Sequence, residues 1–302
     1  MITIYPTKLV PDPANNKTAT IYMFVHPTGA EVLQHNVAAG IPSGSLQSAL
    51  DENTLTRIHF NHHTSVYFDT PYLHRSKSIR RVKKTSAGIF YNDSDMVIVS
   101  SKQIPAIAKI LADENGQTVD YNLLLLRILH HNAMSYIEFL QQIDHETERL
   151  ENSMRRRVNN NELFQLMDNQ RSLTGIATSL KGLEHLMDRI REHDPSFGSE
   201  ELLEDTVVAV RQASEMAMLF DADLEALMDA FGSVLSNNVN QIMKILTALT
   251  LILAIPTMIA GLFGMNVRLP MADENNAFWI ILGIATTLSV LLGVVFYKRR
   301  ML

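Results

Sequence analysis

Gly264, Met265 and Asn266 end one apolar stretch and precede another. Only Asn266 has a polar side chain, a carboxamide that accepts and donates hydrogen bonds without bringing charge. Upstream, steps of three and four residues pick out Gly261, Thr257, Ala254, Thr250, Leu246 or its neighbour Thr247, Met243, Asn240, Ser236 and Asp229, which share one helical face. Near the tripeptide these residues are small or weakly polar; farther away they become polar and then acidic. Two chemistries fit such a face. Small residues let membrane helices pack closely, and small and polar residues also suit the wall of a water-filled path. Asn240 and Asp229 favour the path, because a packing seam would carry Leu or Ile there. A ring of Asp229 would then concentrate cations at one mouth, and Met243 with Leu246 would form an apolar collar that closes by expelling water.

That face needs a long helix, and the pattern supplies one. Ser199 can cap a helix whose first turn carries Glu200 and Glu201. Its periodicity runs past Gly232, a residue that costs about 1 kcal/mol against Ala. A single helix is therefore expected over 199–263. Its last part, 245–263, and the segment 277–297 are free of acidic and basic side chains, and about 20 such residues cross the hydrocarbon of a bilayer. The alternative for both is a buried core helix. Lys298, Arg299 and Arg300 follow the second stretch, whereas the connecting loop carries Arg268 against Asp273 and Glu274. By the positive-inside bias the C-terminus is cytoplasmic, and with two spans so is the N-terminal body. Two helices per chain cannot enclose a water path while shielding polar atoms from lipid. Transport would require an oligomer.

Ahead of the long helix, 1–118 reads as short strands (19–26, 64–70, 88–92 and 95–100) with helical pieces at 45–50 and 104–114 between them. Residues 119–198 read as an antiparallel helical pair, with Leu129, Ala133, Tyr136, Ile137, Leu140 and Ile143 on one face and breaks at 155–162 and 193–200. The expected fold is thus an α+β membrane protein: an N-terminal cytoplasmic α/β domain, a long-helix stalk, an external loop at 264–276, two C-terminal transmembrane helices and a basic tail at 298–302. The 302 residues hold 26 basic against 32 acidic side chains, a net charge of −6, which argues against general nucleic-acid binding. Cysteine is absent, so neither disulfides nor thiolate metal sites form. The first residues lack the basic and apolar regions of a signal peptide. His59, His62 and His63 invite a metal reading, but neighbouring residues of a regular strand point to opposite faces, which favours a surface or packing role. No phosphate-binding glycine loop or hydrolase motif is present, so the chain is not expected to be an enzyme.

Gly264, Met265 and Asn266 behind a membrane helix, with a second span and a basic tail after them, resemble the signature of the CorA family of magnesium channels and transporters. The segments 255–266, "IPTMIAGLFGMN", and 237–247, "NNVNQIMKILT", are also similar to the family pattern, and the order of domains matches throughout the chain. The resemblance implies a homopentamer in a plasma or inner membrane, with the first span lining the pore, the second facing lipid, and Asn266 ringing the outer entrance. It assigns Asn240, Met243, Leu246 and Thr257 to the pore wall. Mg2+ holds its waters tightly, so a selective entrance should grip the hydrated ion through amide oxygens that accept hydrogen bonds from those waters. A carboxylate ring would hold it too well. The resemblance further implies closure when intracellular Mg2+ binds acidic residues between subunits, for which Glu204 and Asp205 are candidates; a solvated acidic first turn is the alternative. Many members carry an acidic loop shortly after the signature. Here Asp273 and Glu274 supply that charge in a different register.

Divalent cations, the lipid bilayer and further copies of the chain are thus the expected partners, with Mg2+ transported and regulatory and Co2+ or Ni2+ as accepted ions. A Zn2+ transporter of the same family and a membrane-anchored helical scaffold are the alternatives.

Overall fold

In the computed structural model the described residues are 2–9, 18–27, 43–75, 80–92, 95–113, 118–156, 160–265 and 276–299. They divide into two compact units, Met1–Met228 and Asp229–Leu302.

The first unit is built on a seven-stranded mixed sheet. Its strands are β1 (Ile2–Leu9), β2 (Thr18–Val25), β3 (Arg57–Phe60), β4 (Thr64–Arg75), β5 (Arg80–Tyr91), β6 (Asp95–Ser100) and β7 (Thr118–Val119), in the order β3-β4-β5-β6-β2-β1-β7. β2 with β6 and β1 with β7 pair in parallel; the other neighbours are antiparallel. The centre is apolar on both faces, as a sheet covered on both sides requires: residues from Met96 to Val99 are at most 3% exposed. Helix α1 (Ser43–Leu50) covers the face carrying Phe24, Tyr67, Phe90, Val97 and Val99. Gly88 gives it room, since a Cβ there would lie 2.5 Å from the Ala49 Cβ.

Helix α2 (Pro105–Asp113) leads through β7 into α3 (Tyr121–Arg156) and α4 (Asn160–His193), which pack against β4 and β5. Asp120 caps α3, its Oδ1 accepting the Asn122 N–H at 2.8 Å. Leu129, Ala133, Tyr136, Ile137, Leu140 and Ile143 are buried along α3, the three-and-four spacing of a core-facing stripe. Arg81 of β5 pairs with Asp168 and so ties α4 to the sheet, while within the sheet Lys84 of β5 reaches Asp69 Oδ2 of β4 at 2.8 Å. Asp69 Oδ2 also accepts the Ser179 hydroxyl at 3.0 Å, so this buried carboxylate is well met.

The turn after α4 has two causes. Asp194 accepts the Ser196 N–H and hydroxyl, which hold its carboxyl below the ordinary aspartate range. Gly198 then adopts φ +66, and a Cβ there would stand 2.7 Å from the Leu123 nitrogen. Only glycine takes that conformation beside a backbone so close. Ser199 caps the next helix, α5 (Glu200–Phe263), its Oγ accepting the Leu202 N–H at 3.4 Å. α5 is continuous over 64 residues and contains Pro256. The last helix is α6 (Ala277–Lys298).

The sheet therefore contains more strands than periodicity suggests. β1, β3, β7 and the part of β5 ahead of Gly88 are additions to the four strands read from the sequence. The histidine segment also differs from expectation: His59 lies in β3, while His62 and His63 occupy the bend between β3 and β4. The opposite-faces argument does not apply to a bend.

Candidate functional site

The second unit holds the membrane candidates. The end of α5 and the whole of α6 are long and apolar enough to cross a bilayer. They meet along a narrow seam. On α5 the covered or half-covered residues are Ala248, Ile252, Ile255, Pro256 and Ile259; on α6 they are Ile281, Ala285, Ser289, Leu292, Gly293 and Phe296. Both sets recur at three and four residues, as one helical face does. Small residues permit the approach: a Cβ on Gly293 would lie 3.8 Å from Ile252 Cδ1.

Pro256 lacks an N–H and so cannot bond the Ile252 carbonyl one turn back. The single Ser289 hydroxyl hydrogen is shared between Ala285 O of its own helix, at 2.9 Å, and that carbonyl across the seam, at 3.4 Å, so Ile252 O receives the weaker branch. In hydrocarbon an unmet carbonyl is costly, and a hydroxyl from a neighbouring helix is the usual remedy. Sequence reasoning passed over Ser289; the signal was a proline inside an apolar helix facing a lone serine in the second span.

The polar stripe lies elsewhere on α5. Asp229, Ser236, Asn240, Met243, Leu246, Thr250, Ala254, Thr257 and Gly261 are all exposed in the single chain. At about 100° per residue, Thr250, Thr257 and Gly261 fall roughly opposite Ala248, Ile252 and Ile259. The second span therefore leaves the stripe uncovered. Thr250 and Thr257 donate their hydroxyl hydrogens to the carbonyls of Leu246 and Leu253, both at 2.8 Å, and Thr247 does the same to Met243 O at 2.8 Å. With the hydrogens committed, each hydroxyl presents lone pairs outward, which suits a cation or its waters. Met243 and Leu246, at 54% exposure each, project one turn apart between Asn240 and Thr250.

At the end of α5, Gly264 N–H still reaches Ala260 O at 2.9 Å, and Met265 N–H reaches Leu262 O at 3.4 Å. A Cβ on Gly264 would come within 3.3 Å of Ala260 O, so glycine lets the last turn close tightly. Asn266 and the acidic pair Asp273 and Glu274 lie outside the described residues. Glu204 and Asp205 are exposed on the first turns of α5. Among the described residues no three His, Asp or Glu side chains gather as a metal site. His62 and His63 line a polar cleft with Tyr91, Asp120 and Asn122.

Residues 16–299 match the model of the family described as CorA-like Mg2+ transporter protein. A curated relative, the cobalt/magnesium transport protein CorA of Methanocaldococcus jannaschii, is 25% identical over 284 residues, 90% of this chain and 88% of its own. The fold agrees with the complete structure of the CorA magnesium transporter from the same organism, at a TM-score of 0.78 and 21% identity over 99% of this chain and 98% of that one. The ZntB cytoplasmic domain from Vibrio parahaemolyticus gives a TM-score of 0.59 at 11% identity, over 72% of this chain and 88% of that domain. That likeness is one of fold.

Proposed function

The chain belongs to the CorA family of Mg2+ transporters, and from that membership we propose that it is an oligomeric divalent-cation channel for voltage-driven Mg2+ uptake, with Co2+ and Ni2+ as further cargo. The observation that carries the reading is the uncovered polar stripe. The side of α5 turned away from the second span bears oxygen acceptors at Thr257, Thr250, Asn240 and Ser236 and ends at the Asp229 carboxylate. A single chain has no use for such a face in a bilayer. Five copies around an axis would turn it into the wall of a water-filled path, with α6 toward lipid and both termini in the cytoplasm.

In that assembly the ion enters with its waters. Asn266 carboxamide oxygens accept hydrogen bonds from the hydration shell, so Mg2+ need not shed ligands that it releases reluctantly. Asp273 and Glu274 raise the cation concentration outside, and Asp229 does so at the inner mouth. The Thr257 and Thr250 lone pairs carry the hydrated ion along the wall, and Met243 with Leu246 closes it when the ring narrows and water leaves. A divalent ion moving down 100 mV gains about 4 to 5 kcal/mol, so no nucleotide is needed. Closure is triggered by intracellular Mg2+ at Glu204 and Asp205 with ligands from the next subunit.

Flux of Mg2+ into proteoliposomes under an imposed potential tests the reading. Uptake should follow the voltage without ATP, and Asn266→Ala should lower it at least tenfold. Equal flux from Asn266→Ala rejects the filter, and flux of Zn2+ alone reassigns the cargo.

A further inference from the structure

The first unit carries a cavity of about 270 Å³ whose charged lining side chains are mainly cationic. Arg81, Lys83 and Lys84 of β5 and Arg171 of α4 line it, and Glu52 is the one carboxylate among the described lining residues. Asp168 and Asp69 hold Arg81 and Lys84 from behind. Among the described residues, no carboxylate comes within ion-pair distance of Lys83 or Arg171.

Two residues that line this space each carry a buried donor without a well-formed hydrogen bond. Tyr136 is 0% exposed, and its hydroxyl lies beside that of Ser179 without forming a well-aligned hydrogen bond. Arg81 Nε is likewise enclosed and unbonded, since its ion pair with Asp168 uses Nη2. Buried donors are nearly always met in folded proteins, so two left open at one cavity point to an absent acceptor. Water could meet each hydrogen bond singly, but Lys83 and Arg171, exposed at the edge of the space, give it a positive surround in which an anion is favoured. An acceptor-only group with several oxygens and negative charge meets both needs.

We propose that this cavity binds a small phosphate-type oxyanion, inorganic phosphate or a short phosphomonoester. Arg81 Nε and Tyr136 donate to its oxygens, and Lys83 and Arg171 balance its charge. The volume falls below the usual range for larger organic ligands, about 300 to 1,000 Å³. Gly175 lines the same space and has nothing within 4 Å of a built Cβ. A larger side chain there should fill the cavity without disturbing α4.

The test is calorimetric titration of the full-length protein in detergent, without Mg2+ and at fixed ionic strength, with inorganic phosphate, glycerol phosphate or chloride as titrant. Saturable binding of a phosphate compound, one per chain, is expected, with none of chloride; the tighter of the two phosphate compounds identifies the source. Lys83→Ala with Arg171→Ala should weaken binding at least tenfold, and Tyr136→Phe several-fold. Gly175→Leu should abolish binding while melting at the wild-type temperature in phosphate-free buffer. Absence of saturable binding by the wild type, or unchanged binding by both the Gly175→Leu and the double variant, overturns the proposal. Neither result bears on Mg2+ flux.

Discussion

Asp144 of α3 has Glu148 one turn farther on and Asp223 of α5 close by. Burial first, then the like charges of Glu148 and Asp223, hold its carboxyl above the ordinary aspartate range, with His145 opposing. The native state therefore keeps this proton to higher pH than the unfolded chain does. The resulting penalty is present at neutral pH and disappears as pH falls through the raised value. Asp144→Asn should raise the melting temperature at pH 7, with the pair one turn apart contributing about 0.5 kcal/mol. The gain should vanish once the wild-type carboxyls are protonated. Melts of both proteins at two pH values check the sign, and a variant less stable at neutral pH contradicts it. Such a cluster could not be seen in the sequence, because Asp223 reaches Asp144 only through the packing of α3 and α5. The Thr250 and Thr257 hydroxyls were easier: their residue types and spacing were readable, and the structure added only where the hydrogens go.

Between elements, the apolar seam of α5 and α6 also carries one shared hydrogen bond. Pro256 frees the Ile252 carbonyl, and Ser289 from the second helix faces it. Ser289→Ala should cost about 0.6 kcal/mol, the mean for such bonds in a membrane protein. In a Pro256→Ala background the same substitution should cost almost nothing, because the introduced alanine restores the N–H that meets the carbonyl within α5. Unfolding in mixed detergent for the four proteins of that cycle gives the coupling, and additive costs would show that Ser289 acts elsewhere. The long helices were legible because the 3.6-residue period persists over many turns and the caps at Asp120 and Ser199 are ordinary ones. The strands were harder. The front of β5 reads as a basic loop, "RRVKKTSA", and becomes a strand because β4 pairs along its whole length while Asp168 and Asp69 meet its charges. Of those partners Asp168 is the remote one, 87 residues along the chain from Arg81. β1 hides behind Pro6, tolerated where, among the described residues, β7 pairs with Lys8 and Leu9 and not with Pro6.

At the scale of the whole molecule, the exposed stripe needs other copies of the chain. The sequence offered two uses for it, close packing or a water path; the position of α6 removes the packing partner that one chain could supply. A neighbouring subunit could still cover the face as a dry seam, so proximity around an axis decides. The natural chain has no cysteine, so single cysteines can be placed without background. Ser236→Cys, Asn240→Cys and Thr250→Cys in native membranes should form disulfide-linked dimers on mild oxidation. Leu291→Cys, exposed on α6 and turned toward lipid in the proposed assembly, should stay monomeric. The stripe cysteines should also react with a small water-soluble thiol reagent, because a path is wet and a seam is dry. Cross-linking without labelling would make the stripe an interface between subunits, and cross-linking at Leu291 in place of the stripe would turn the helices around and remove the basis for a pore along α5.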